Sequence, residues 1–292
     1  MQRTREYYLA LGYGNPYVYA HYADVPFQPL KKPLADSRVA LVTTAAPYQP
    51  DKGPQGPGAP YNAAAKFYSV YSGDTSVDHD LRIAHVAIDR KHTSMEDSGT
   101  WFPLPALRRA AVAGRVQLAR CFHGAPTNRS QQHTMNVDCP EILARCVEDE
   151  ADAAILVPNC PICHQSVSLI ARHLEANGIA TVVMGCAKDI VEHCGVPRFL
   201  FSDFPLGNSA GRPHDPESQA TTLELALHLL ESASGPRTTV RSLLCWSERA
   251  DWKLDYCNPA RLSPEEITRL REEAERARET AREIREREQA LG

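Results

Sequence analysis

The hydrophobic pattern changes period abruptly between residues 151 and 173. Ala153–Val157 is a continuous apolar run of strand length, as found in strands buried on both faces of a parallel α/β sheet. Pro158 and Asn159 stop it. From Ile162 onward Val167, Ile170, Ala171 and Leu174 recur at helical spacing, and Gly178 ends that helix before a second apolar run at 179–184. The pattern predicts a β-α-β unit. Along the rest of the chain the same reading predicts strands over 38–44, 81–88, 116–122, 198–202 and 238–246, and helices over 104–113, 140–150 and 217–230. Proline and glycine make 49–60 a loop that covers the crevice, and 127–133 reads as a polar loop.

The ends of the chain read differently. Residues 1–37 carry Tyr7, Tyr8, Tyr13, Tyr17 and Tyr19, then Pro26, Pro29 and Pro33, and are expected to form an extended arm packed on a neighbouring surface. Ser263-Pro-Glu-Glu266 has the spacing of a capping box. Behind it Ile267, Leu270, Ala274, Ala277, Ala281 and Ile284 alternate three and four apart, as in a coiled-coil seam, with Glu272–Arg276 and Glu283–Arg287 as surface pairs. Such a helix docks on its own subunit or on a second chain, and the expectation is a homo-oligomer. The fold expected is α/β: two similar three-layer, flavodoxin- or Rossmann-like halves, 38–150 and 151–245, with mainly parallel sheets and a crevice between the carboxyl ends of their strands. The arm 1–37 and a tail with a charged helix, 246–292, flank them.

Candidate chemistry concentrates where the first apolar run stops. Cys160-Pro-Ile-Cys163 lies on the turn from strand to helix, and Pro161 suits the first helical turn. Unpaired backbone N–H groups and the positive end of the helix dipole stabilise a thiolate at that point. Cys160 is therefore assigned as nucleophile and Cys163 as resolver. Asp89 and His92, at the carboxyl end of the strand expected over 81–88, and His123 and His133 are candidate proton donors. His85, Thr44, Asn208, Ser209 and Arg212 are candidate substrate-binding residues, the last three in a glycine-containing loop suited to a carboxylate. Other readings of the cysteines remain open. They include inert buried thiols, a metal or iron–sulfur cluster completed by Cys186 and Cys194, and an open zinc site made by His85, Asp89 and Cys160. A non-catalytic redox-sensing or assembly subunit is a further alternative. Cys-Pro-Ile-Cys-His also fits a c-type haem attachment pattern, which requires export.

Composition narrows the classes. With 292 residues, 43% of them hydrophobic, the chain builds one large or two modest cores. A net charge of −4 argues against nucleic acid as the main partner. No apolar run approaches the roughly 18 residues of a membrane span. The start, Met-Gln-Arg-Thr-Arg-Glu-Tyr-Tyr, lacks a signal peptide's apolar core, and nine cysteines, an odd number, read as reduced cytoplasmic thiols. Neither a Gly-x-Gly-x-x-Gly nor a Walker pattern signals a dinucleotide or nucleoside triphosphate.

The stretch from Ala153 through Cys160-Pro-Ile-Cys163 to Val183, followed by Gly195-Val-Pro-Arg-Phe-Leu-Phe-Ser-Asp-Phe-Pro-Leu-Gly-Asn-Ser-Ala-Gly-Arg-Pro213, resembles the substrate-binding B subunit of the glycine, sarcosine, betaine and D-proline reductases. The resemblance covers most of 38–215, including Asp97-Ser-Gly-Thr-Trp-Phe-Pro-Leu104, Leu107 and Gly114-Arg115. Those proteins carry selenocysteine-x-x-cysteine. Cys160 stands at the selenocysteine position and Cys163 at the cysteine, so the resemblance implies a cysteine-containing relative. It also implies reductive cleavage of a carbon–heteroatom bond in a small, carboxylated substrate, with electrons returned by an external thiol donor such as a thioredoxin-like protein. A thiolate is a poorer nucleophile and leaving group than a selenolate, so an easier bond, or another reaction, is expected rather than amine cleavage from glycine.

Overall fold

The computed structural model describes residues 1–14, 17–83, 85, 87–127 and 130–291, without the side chains of 285 and 288–291. The strands are β1 (Arg38–Thr43), β2 (Ala46–Pro47), β3 (Tyr71–Asp74), β4 (Leu81–Arg82), β5 (Gln117–Leu118), β6 (Cys121–Gly124), β7 (Ala153–Val157), β8 (Ala180–Gly185), β9 (Arg198–Phe201) and β10 (Thr238–Arg241). The helices are α1 (Gln2–Ala10), α2 (Leu104–Val112), α3 (Gln131–His133), α4 (Cys139–Glu148), α5 (Pro161–Ala176), α6 (Lys188–Cys194), α7 (Pro216–Ser232) and α8 (Pro264–Leu291). A π-helical turn, Thr134–Asp138, joins α3 to α4.

The α/β class and the mainly parallel sheet agree with the sequence pattern. Among the described residues one sheet of eight strands runs in the order β10-β9-β8-β7-β1-β6-β3, with β5 also paired to β1. Stretches 38–150 and 151–245 therefore share a sheet: β1 pairs with β7 from Val39↔Ala153 to Thr43↔Val157. The apolar runs explain the join, because both strands are buried on both faces and neither tolerates a solvent-exposed edge. Alternate β1 residues feed two cores. Val39 and Leu41 pack in the cluster that holds α2 and α7, while Ala40 and Val42 pack in the cluster that holds α4, α5 and α6. The result is a three-layer sandwich.

Two expected strands differ. The run 116–122 is broken into β5 and β6 at Ala119 and Arg120, and both pieces pair with β1. Only Leu81–Arg82 of 81–88 forms a strand; it is antiparallel to β2 in a separate two-stranded sheet, and 84 and 86 lie outside the described residues. Both flanks of β1 are already taken, by β7 on one side and by β5 and β6 on the other, so it does not join the centre of the main sheet. Edge strand β3, antiparallel to β6, has no apolar signature in Tyr-Ser-Gly-Asp. The loop 127–133 turns into α3 at its end, with 128 and 129 outside the described residues.

The arm packs on its own chain. It begins as α1, and its later part crosses α5: Ala20 N–H donates to Gln165 Oε1 (2.8 Å), and Arg172 Nη1 donates to Asp24 O (2.8 Å). Arg198, fully buried against Glu175 at 2.7 Å, donates to Gln28 O at 2.8 Å. Helix α8 also docks intramolecularly, against the Ala63–Ala65 turn and the arm, where Arg271 Nε donates to Ala10 O (2.8 Å). Of its seam positions Ala274 is buried and the others are half-buried. Among the described residues no helix is long and apolar enough to cross a membrane.

Candidate active site

Strands β6, β1, β7, β8 and β9 reproduce a 2-1-3-4-5 order, whose switch point lies between β1 and β7. Ligands of open α/β sheets bind outside the carboxyl ends at that point, because the crossovers leave it on opposite faces. Thr44 and Cys160 sit there. Thr44 Oγ1 accepts from Asn159 N–H at 3.1 Å, tying the two strand ends together. Helix α5 then starts at once, with Cys160 in extended conformation as its N-cap and Pro161 at the first helical position. Cys160 Sγ accepts from Cys163 N–H at 3.2 Å, the hydrogen bond a capping oxygen would make. The sulfurs of Cys160 and Cys163 are joined as a disulfide, and the other seven cysteines are free thiols.

His164, the next residue along α5, is fully buried and holds this turn from behind. Its Nδ1–H donates to Cys160 O (2.7 Å), while Nε2 accepts from Cys186 N–H (3.0 Å) and Ala187 N–H (3.1 Å). One imidazole thus joins the ends of β7 and β8. Burial pushes its pKa down to about 4, so the ring is neutral, as two-N–H acceptance requires. Gly185 leaves the room: a Cβ there would stand 2.8 Å from His164 Cδ2 and Nε2. The sequence reading treated His164 only as part of a haem-like pattern and missed this role. A histidine directly after a Cys-x-x-Cys, with a glycine closing the neighbouring strand, was the available signal.

His85 approaches from the other side. One of its ring nitrogens and the sulfurs of Cys160 and Cys163 lie within 4.8 Å of one another. Its Nδ1 is shut off from solvent and, among the described residues, has no hydrogen-bond partner of good geometry, although the backbone of Thr44 and Ile83 interacts with the ring. Burial, helped by Lys66 and Arg90, lowers its pKa to about 4. In front of Cys160 and His85 lies a cavity of about 1110 Å³. Its walls come from the arm (Tyr8, Tyr13, Tyr17, Tyr19), the loop with Tyr61, Lys66 and Tyr68, and α8. Cations line it at Arg5, Lys66, Arg278 and Arg282, with Arg278 stacked 4.7 Å over the Tyr13 ring and Lys66 5.0 Å from that of Tyr68.

The remaining candidates stand elsewhere. The expected His85–Asp89–Cys160 ligand set is not assembled: Asp89 N–H donates to Leu206 O (2.9 Å), and its Oδ1 accepts from His92 N–H (3.2 Å). Among the described residues the strand ends at Arg82, so strand alternation does not reach His85 and Asp89. His92 pairs with Asp255 at 3.1 Å. His123 is buried in β6, bonded to Ser72 Oγ (2.9 Å), with its pKa down to about 4 through burial. None of the three lines the cavity, whereas His133 does. The glycine-containing loop supports the site from outside it. Ser209 Oγ donates to Pro158 O (2.6 Å), Asn208 Nδ2 to Thr93 Oγ1 (2.8 Å), and Arg212 pairs with Asp215 at 2.7 Å. The cavity wall at 61–69 lies just beyond the loop 49–60 that the sequence nominated as its cover.

No family model and no solved structure matches the chain. A curated relative does: the D-proline reductase subunit gamma of Acetoanaerobium sticklandii is 31% identical over 195 residues, 65% of this chain and 77% of that protein. This chain belongs to the D-proline reductase gamma-subunit family. Membership relates it to a reductase, and so to the oxidoreductases.

Proposed function

We propose that this member of the D-proline reductase gamma family is a thiol-dependent reductase that cleaves a carbon–heteroatom bond in a small carboxylated molecule. The observation that carries the reading is a Cys-x-x-Cys pair at a helix N-terminus, on the switch point of the sheet, with Cys160 facing a cavity. In the reduced chain the Cys160 thiolate attacks the carbon bearing the heteroatom. A C–S bond forms, the C–heteroatom bond breaks, and the heteroatom leaves with a proton. Cys163 thiolate then attacks Cys160 Sγ; the S–S bond forms and the C–S bond breaks. The carbon departs with the electron pair and is protonated, so the two cysteines have supplied two electrons. A carboxyl group next to that carbon makes it a better leaving group. An external thiol returns the disulfide to the dithiol.

His85, within 4.8 Å of both sulfurs, takes the place assigned from sequence to Asp89, His92 and His123, relaying a proton from the Cys160 thiol to the leaving atom. Lys66 and Arg278 take the carboxylate-binding place assigned to Asn208, Ser209 and Arg212. D-proline, the compound in the relative's name, is the first substrate to try. Cys163→Ser blocks the second step, so incubating the reduced variant with D-proline and related amino and N-alkyl acids is expected to leave one of them attached to Cys160, seen by peptide mass. Cys160→Ser is expected to lose both adduct and turnover while keeping its circular dichroism. Undiminished turnover in Cys160→Ser overturns the proposal.

A further inference from the structure

Three side chains from two separate segments converge on one point beside the cavity: His85 from the loop after β4, and Cys160 and Cys163 from the start of α5. We propose that the reduced chain binds one thiophilic divalent cation, zinc above all, through Cys160 Sγ, Cys163 Sγ and a ring nitrogen of His85. A tetrahedral zinc ion with Zn–S of about 2.3 Å and Zn–N of about 2.0 Å needs its donors about 3.5 to 3.8 Å apart. The three atoms already lie within 4.8 Å of one another. Opening the disulfide lets the sulfurs spread to that separation while His85 moves inward by an ångström or so, roughly the difference between those figures.

Further features favour a cation over an empty cluster. His85 Nδ1 is closed to solvent and, among the described residues, has no hydrogen-bond partner of good geometry, a condition that a metal bond to the ring, or a ligand-linked proton on it, relieves. Two thiolates and one neutral imidazole balance the charge of a divalent ion, so a partly apolar surround takes up no net charge. The N–H of Cys163 already points at Cys160 Sγ and supports that ligand from behind. A Cys2His set also leaves the fourth position open toward the cavity, in the manner of catalytic rather than structural zinc. Binding displaces one proton from each thiol that has not already lost it and transfers no electrons. The disulfide excludes it, because neither sulfur then carries a thiolate pair.

This inference goes beyond the proposed reduction and is tested without any substrate. The full chain is reduced with a phosphine, freed of it under argon, and titrated with cobalt(II) as an optical stand-in, then with zinc. One equivalent of cobalt is expected, with thiolate-to-metal charge-transfer absorption and the intense visible bands of a tetrahedral ion, displaced by one equivalent of zinc on metal analysis. The oxidised chain is expected to show none of these bands. Cys163→Ser and His85→Ala each remove a direct ligand and are expected to weaken binding at least as much as loss of an outer-shell partner does, about tenfold or more, His85→Ala with loss of tetrahedral intensity. Absence of the bands in the reduced wild-type chain overturns the site, as does unchanged binding in the disulfide form. An unaltered spectrum in His85→Ala overturns the three-ligand arrangement. The oxidised and reduced wild-type forms give the main comparison, so the outcome does not hang on whether a variant folds.

Discussion

Single residues at this site act through the state of one or two atoms. Cys160 and Cys163 were legible because a strand-to-helix junction and a two-residue spacing define what the first sulfur faces. His164 was not legible, since its three hydrogen bonds run to backbone groups that only the folded sheet brings together. Those bonds have a measurable consequence. His85, His123 and His164 are buried with pKa values lowered to about 4, from an unfolded value of 6.5. Below pH 6.5 the unfolded chain takes protons that the folded chain refuses. Stability is therefore complete above pH 6.5 and falls as pH drops from 6.5 toward 4. Three such groups remove about 4 kcal/mol between pH 7.5 and 5.5. Urea unfolding at the two pH values is expected to show this loss, and His164→Asn to show about two-thirds of it. Burial raises the carboxyls of Asp89 and Glu175 and opposes the trend at the acid end, which is why the variant comparison carries the conclusion.

At the scale of elements, periodicity told which face of a segment is covered and left open what covers it. The seam of α8 is an example. Its three-and-four spacing marks Ile267, Leu270, Ala274, Ala277, Ala281 and Ile284, and these are the less exposed positions, with the 63–65 turn of the same chain packed against the helix. The strand expected over 81–88 failed for a related reason: an apolar run promises burial, not a place in a particular sheet. The tyrosines of the arm were read as packing groups, and they both pack and wall the cavity. Because α8 supplies Arg278 and its neighbours to that wall, deleting 264–292 is expected to uncover Cys160. Alkylation of the reduced chain by a bulky maleimide, read at the peptide containing Cys160, should accelerate about tenfold or more, since thiol reactivity follows access as well as pKa. An unchanged rate would mean that α8 does not screen the sulfur.

Across the whole molecule the central event is the join of β1 to β7. The α/β class and most strand and helix positions followed from local pattern, because buried parallel strands advertise themselves as continuous apolar runs. Strand order did not, and the shared sheet appears only once the register from Val39↔Ala153 to Thr43↔Val157 is known. That join creates the switch point, and the arm and α8, drawn from distant parts of the sequence, then wall the space in front of it.

The enclosure has a bearing on which reductant the cycle accepts. Cys160 is only 7% exposed, at the back of a chamber of about 1110 Å³. Small-molecule sites span roughly 300 to 1,000 Å³, so a compact acid leaves vacant space beside it. On this geometry a tripeptide-sized mercaptan is expected to enter that remainder and reach the sulfur, and a folded oxidoreductase, whose own attacking sulfur sits on a broad surface, to be hindered at the rim. Recycling of the oxidised pair is accordingly expected to run faster with glutathione or dithiothreitol than with an equal concentration of a thioredoxin, and removal of α8 to narrow the gap. Equal rates in the intact chain would show that the walls part on the timescale of exchange.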